Sequence, residues 1–185
     1  DVDERLANGV LDAFLQAQEE GKVRHIGFTG HRDPAAHVRM LEKTRGQGVF
    51  TACQMPVNVL DPSHLSFIEN VIPHLLDQEI ALLAMKTLAD GRFFSVKERL
   101  GEIQWETDRP VVPDEIQLEE ALNFAWSLPV TCLITGAENA RLMQEKIRLA
   151  RSFERIPEEE RAILIERVAD LSREKEIEYF KKDAV

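Results

Sequence analysis

The sequence has little of what staples or metallates a small protein. It carries two cysteines in 185 residues, Cys53 and Cys132, each inside an apolar run (TACQM and VTCLITG). Two such thiols are too few for a disulfide framework and lack metal-ligand spacing. Both read as small packed core residues, and no metal site is expected. No apolar run approaches the length of about 18 residues that a membrane span needs, and no signal peptide is visible. Positive charge is scarce: 23 Lys and Arg stand against 33 Asp and Glu, a formal net charge of −10. That balance argues against nucleic acid or an anionic membrane as the main partner. GxGxxG, the P-loop lysine motif and HExxH are all missing.

What is present suits one soluble domain over 1–185, with 44% hydrophobic and 30% charged residues. A chain of this length buries about 70% of the surface its unfolded form exposes and needs no staples. The first residue is Asp1, not Met, so the chain is expected to be cropped or processed, with any removed leader invisible.

Periodicity supplies the organisation. Leu6, Val10, Leu11, Phe14 and Leu15 recur at helical spacing and predict one helix over 1–20, ended by Gly21. VRHIGFTG follows, with a strand at 23–29 into which His25 packs. Asp33-Pro34 is an N-cap and N1 pair opening the next helix. The cycle then repeats. A strand at 50–55 leads to a loop, and Asp61-Pro62 opens a helix in the same way. IALLAM at 80–85 is so continuously apolar that it predicts a parallel strand covered on both faces. Residues 89–115 break the rhythm with a long, charged connection that contains Trp105, the kind of segment that is often functional. A helix at 115–127, a strand from about Val130 to Thr135, a helix at 138–153 and a last helix from Pro157 complete the chain. Glu158, Glu159 and Glu160 read as a solvated first turn, and the tail EYFKKDAV as partly disordered.

Four βα units in series mean a parallel sheet with helices packed outside. Two architectures suit four strands: half of a closed (β/α)8 barrel, or a small open doubly wound sheet. Full barrels usually need about 250 residues and at least about 200.

In parallel α/β folds, ligands sit at the carboxyl ends of the strands. There the chain offers Thr29-Gly30-His31, Gln54 to Asn58, Met85 to Gly91, and Thr135 to Asn139. Lys86 ends an apolar strand. It reads either as a solvated rim lysine or as a contact to ligand phosphate. The Gln54 amide wants a partner, either neighbouring backbone or the amide edge of a flat heterocycle. His31 is either a locally bonded turn histidine or an acid–base or stacking group. Gly136 and Ala137 allow a phosphate to approach the following helix N-terminus, although such turns are common.

These segments resemble the C-terminal half of the aldo-keto reductase superfamily. GKVRHIGFTGH, CQMPVNVL, IALLAMKTLADGRFF and LPVTCLITGAENARLMQEKI match four of its strand-end blocks in order, over about residues 9–153. The wording AMKTLADG and GFTGH is most similar to a bacterial branch often exported by the twin-arginine route. The resemblance implies the C-terminal half of a (β/α)8 TIM barrel: half-barrel units over 1–153, then a C-terminal helix and tail over 154–185. It also implies a cofactor, NADP or NAD, and a small aldehyde or ketone as substrate.

By resemblance, Thr29 takes the place of the hydroxyl residue that grips the nicotinamide carboxamide, Gly30 or His31 replaces the usual Asn, and Gln54 matches the carboxamide-binding Gln. Met85 stands where many members stack a Tyr on nicotinamide. Lys86, Leu88 and Asp90 fall where pyrophosphate is enclosed. Gly136 and Ala137 stand where NADPH-specific members often have Lys-Ser, and Leu142 where they often have Arg. Glu145 matches an adenine-side position. These departures leave NADPH or NADH open, with NADPH favoured by the resemblance.

The family's catalytic Asp, Tyr, Lys and His come from the first half of the barrel, and Tyr179 lies in the tail. The resemblance therefore implies a cofactor-binding half with no catalytic residue of its own, inactive alone, and cytoplasmic unless a twin-arginine leader was removed. A non-catalytic nucleotide-binding or assembly domain is the alternative. A half barrel also leaves its outer strands as bare edges. The partner expected there is a missing N-terminal half or a second copy. An unrelated flavodoxin-like sheet is a third reading; it requires a strand order other than 1-2-3-4.

Overall fold

Parallel strands separated by helices of ten or so residues return to the same side of a sheet, and this chain does so three times. In the computed structural model, which describes residues 2–91, 93, 115–137, 139–172 and 177–181, four strands form one parallel sheet in the order β1-β2-β3-β4. They are β1 (Gly27–Thr29), β2 (Ala52–Pro56), β3 (Ala81–Met85) and β4 (Cys132–Leu133). The sequential order excludes the flavodoxin-like alternative.

The helices are α1 (Val2–Ala7), α2 (Val10–Glu19), α3 (Pro34–Lys43), α4 (Phe67–Asp77), α5 (Leu118–Trp126), α6 (Ala140–Arg151) and α7 (Glu158–Ser172). Most of Ala89–Glu115, with Trp105, falls outside the described residues.

Local chemistry sets the boundaries. The helix expected over 1–20 is two, because Gly9 takes φ +80 between α1 and α2. At the end of α2, Gly21 adopts φ +71. The Gly21 N–H donates to the Gln18 carbonyl at 3.0 Å and the Lys22 N–H to the Ala17 carbonyl at 2.9 Å. This Schellman pair needs a left-handed residue, which only glycine supplies without strain. Asp33 caps α3 as expected, its carboxylate accepting from the Ala35 N–H at 2.8 Å with Pro34 at the first position.

The Asp61-Pro62 pair behaves differently. It makes a single 3₁₀ turn, Asp61–Ser63, and Leu65 at φ +43 interrupts the chain before Ser66 caps α4. Asp61 still serves that helix at a distance, accepting from the N–H groups of Phe67 at 3.1 Å and Ile68 at 2.8 Å.

The outer strands are shorter than their sequence suggests. Val23 to His25 form a connection, held where the Gln18 amide donates to the Arg24 carbonyl at 2.9 Å. His25, expected to pack, is exposed. Only Cys132 and Leu133 are strand in the last unit, although Thr131 and Ile134 still donate to the carbonyls of Leu82 and Ala84.

Alternation then divides the sheet into two faces. Cys53, Met55, Leu82 and Ala84 point to one face and join the apolar core with Leu41, Val71 and Phe124. Gly27, Thr29, Ala52, Gln54, Ala81, Leu83 and Cys132 point to the other, where each is half-buried or exposed. The expectation that β3 is covered on both faces therefore holds for one face of the described residues. Four strands do not close on themselves, so the second face stays open. Cys132 is exposed for the same reason, contrary to the reading of two packed thiols. Apolar side chains are also exposed on the helices beside both edges: Val10 (51%) and Phe14 (50%) on α2, Met143 (41%) and Ile147 (44%) on α6.

Part of the tail expected to be partly disordered is packed, and 182–185 lie outside the described residues. Ile177, Glu178, Phe180 and Lys181 are buried, and the segment lies across the carboxyl ends of the strands. Among the described residues no helix is long and apolar enough to cross a membrane.

Candidate functional site

The carboxyl ends of the strands gather most of the polar groups singled out from the sequence. Thr29 pairs in register with Gln54, Gln54 with Leu83, and Leu83 with Cys132. These four side chains form one row on the open face. The row borders a concavity of about 190 Å³ lined by Gly27, Phe28, Thr29, Ala52, Gln54 and Leu83. A hydroxyl and an amide thus stand side by side on neighbouring strands. Met85 lies beside this pair; the Gln54 Nε2 donates to its Sδ at 3.4 Å.

Lys86 follows directly. Its backbone has φ +56, a conformation that costs a lysine about 1–2 kcal/mol. The surroundings hold it there. The Lys86 carbonyl accepts from the Ala89 N–H at 2.8 Å and from the Asn58 Nδ2 at 3.4 Å, and its ammonium sits 5.6 Å from the centre of the Phe180 ring. The same ring meets His31 edge-on at 5.9 Å. Phe180 therefore joins the ends of β1 and β3.

Beyond β4, Gly136 is exposed and Ala137 half-buried. Asn139 caps α6 by accepting from the Leu142 N–H at 3.0 Å. Lys146 reaches back from α6, donating to the Thr135 hydroxyl at 3.0 Å and to the Gly136 carbonyl. Glu145 is half-buried on the same helix.

Leu88 packs against the apolar core. A Cβ on Gly30 would stand 2.6 Å from the His37 Cε1, so the absence of a side chain there makes room for an imidazole beneath the turn. Asp90 lies in the short turn Ala89–Gly91.

A second polar group, unseen from sequence, lies behind this mouth. The Lys181 Nζ is 2.7 Å from the Asp61 Oδ1 and 2.9 Å from the Glu178 Oε2, with side-chain exposures of 1%, 0% and 2% respectively. Lys181 also donates to the His64 carbonyl at 2.8 Å. The Ser66 hydroxyl donates to Asp61 at 2.9 Å and the Asn58 amide to Glu178 at 2.8 Å. Burial pushes the Glu178 carboxyl above its ordinary range; Lys181 pulls it back, and the Asp61 carboxylate adds to the rise. Charges so far from water persist only when paired and hydrogen-bonded. The sequence signal was faint, since a lysine in a charged tail and an aspartate before a proline both read as surface residues.

Among the described residues no three His, Cys, Asp or Glu side chains come together as metal ligands. A hydroxyl, an amide, a lysine and a helix N-terminus suit a neutral amide and phosphates rather than a cation.

Comparison with known proteins gives the same outline. A family model described as the aldo/keto reductase family matches residues 2–166. No curated protein matches the chain. Among solved structures, the apo form of aldo-keto reductase AKR11C1 from Bacillus halodurans is 18% identical, with a TM-score of 0.54 over 96% of this chain and 58% of that one. Its holo form is 19% identical, with a TM-score of 0.55 over 96% of this chain and 57% of that one. At that identity the likeness shows the fold. The chain spans less than two thirds of those relatives' length.

Proposed function

The chain belongs to the aldo/keto reductase family, and from that premise we propose that it binds a nicotinamide dinucleotide, NADP or NAD, as the cofactor-binding part of an oxidoreductase acting on small aldehydes or ketones. The observation that carries this reading is the Thr29–Gln54 pair, in register on the open face beside Lys86. Thr29 and Gln54 would hold the carboxamide, with Met85 or His31 against the ring. Lys86 would face pyrophosphate, with Asp90 and Leu88 bounding its turn. Gly136, Ala137 and the α6 N-terminus would receive the adenosine phosphate, and Glu145 the adenine side. Lys146 adds a cation at that turn, where the Lys-Ser and Arg of NADPH-specific members are missing.

When bound, the cofactor supplies a hydride. This chain's own residues bind and orient; none takes an acid–base role, and the proton for the carbonyl oxygen would come from a group outside these 185 residues. In this reading the chain alone is inactive.

The test is titration of the chain with NADPH and NADH, following quenching of Trp105 and Trp126. Saturation with either supports the reading, and preference for one nucleotide settles which. No response up to about 1 mM, an affinity weaker than about −4 kcal/mol, removes it.

The open face and the exposed flanks of α2 and α6 favour assembly as well. We propose that a missing N-terminal half or a second copy covers them. Light scattering on the chain alone is expected to show association or apolar-dye binding. A dilute monomer that binds no dye counts against this partner.

A further inference from the structure

We propose that Ile177–Lys181 is a positioning strap for Lys86, built to hold its ammonium where a phosphate arrives. The proposal rests on the reading that Lys86 meets an anionic ligand. The segment reaches the strand ends from 120 residues beyond Asn58, through the Asn58–Glu178 hydrogen bond. Its seat is the Asp61–Lys181–Glu178 group. A buried ion group of this kind adds little net stability but is intolerant of displacement, so it fixes placement. What it places is Phe180, between the two anchored charges in sequence and set against both His31 and Lys86.

Lys86 is gripped at both ends. Asn58, which bonds the strap at Glu178, also donates to the Lys86 carbonyl, and the Phe180 ring faces the Lys86 ammonium. A lysine side chain has many rotamers, and ordering it on binding weakens affinity. An ammonium already held by an aromatic face avoids that loss. Glu178 and Phe180 are thus positioning residues that act through Lys86.

The test uses the full chain with Phe180→Leu, Phe180→Tyr and Lys86→Gln, and inorganic pyrophosphate as the probe. In proton NMR the Lys86 ε-protons, assigned by their absence in Lys86→Gln, are expected upfield of the other lysines. Phe180→Leu abolishes that shift and Phe180→Tyr retains it. Pyrophosphate binding weakens about fivefold in Phe180→Leu, recovers in Phe180→Tyr, and changes less than about twofold when Phe180→Leu is added to Lys86→Gln. No upfield shift in the parent chain, or pyrophosphate bound equally or more tightly with Leu at 180, overturns the strap alone. A chain that shows the shift but binds no pyrophosphate overturns the ligand reading, and the proposal with it.

Discussion

The two faces of the sheet use the same strands to opposite ends. On the helix-covered face, Cys53, Met55, Leu82 and Ala84 are buried in one continuous core. On the open face, Thr29, Gln54, Leu83 and Cys132 stand in a row that no described helix covers. A parallel sheet is normally covered on both sides, because its connections place helices there. Here the described helices between the strands, α3, α4 and α5, all pack on one side. The bare side leaves the Thr29 hydroxyl and the Gln54 amide at the surface of the described chain.

The largest test of that contrast uses the two thiols. Cys132 is exposed, whereas Cys53 is buried and its thiol is pushed up to about 12 by burial. Alkylation under native conditions is expected to modify Cys132 at the rate of a free thiol and Cys53 slower by roughly a thousandfold or more, through opening of the core. Mass spectrometry of time points reads both rates. Similar rates would show that the covered face is not a core.

Leu82 and Leu83 sharpen the comparison, since they are sequence neighbours on opposite faces. Leu82→Ala is expected to cost about 2–5 kcal/mol in urea unfolding, and Leu83→Ala about 1 kcal/mol or less. Whatever closes the open face will raise the second number, so measuring Leu83→Ala with and without a candidate partner locates that partner's contact.

Much of this was legible from the residues. Asp33-Pro34, Gly21 and the apolar periodicities act locally, and local signals survive into the fold. The βα rhythm gave four parallel strands, and their sequential order is the one the half-barrel reading requires. The unread parts are those set by distant contacts. Cys132 and Leu83 lie in apolar runs, and only the number of strands decides that one face stays bare. Asp61 looked like a simple helix cap, yet it is the anchor for Lys181, which is 120 residues away. The packing of Glu178 and Lys181 in the tail was hidden because charged side chains that satisfy one another are indistinguishable, in sequence, from ones that water satisfies. Nothing in the sequence shows that His37 packs beneath Gly30, where an added Cβ would meet its ring.

Two glycines, Gly30 and Gly136, give a smaller test. Gly30→Ala must displace the His37 ring and is expected to cost about 1–3 kcal/mol by overpacking. Gly136, on the open rim with nothing within 4 Å of an added Cβ, should accept Ala within about 0.5 kcal/mol. Thermal unfolding of both variants decides it. Equal costs would mean that the two strand ends are equally enclosed.

The smallest effect is a pH slope, and its sign follows from the covered face. His37 packs between the rings of Phe28 at 5.3 Å and Phe67 at 5.0 Å, and burial lowers its pKa from 6.5. In the window below that value the unfolded chain binds more protons than the folded one. The contribution of His37 is therefore whole above about pH 6.5 and is lost as pH falls toward the folded value. Glu178 works in the opposite sense. Its carboxyl is raised above 4.5, so acidification toward that value favours the folded state. Comparing the parent with His37→Phe, whose ring suits an aromatic cage, cancels the Glu178 part. The parent is expected to lose more stability than the variant between about pH 7.5 and about pH 5.5. Equal losses would place His37 in contact with water, and would move the boundary between the covered and open faces inward by one layer of side chains.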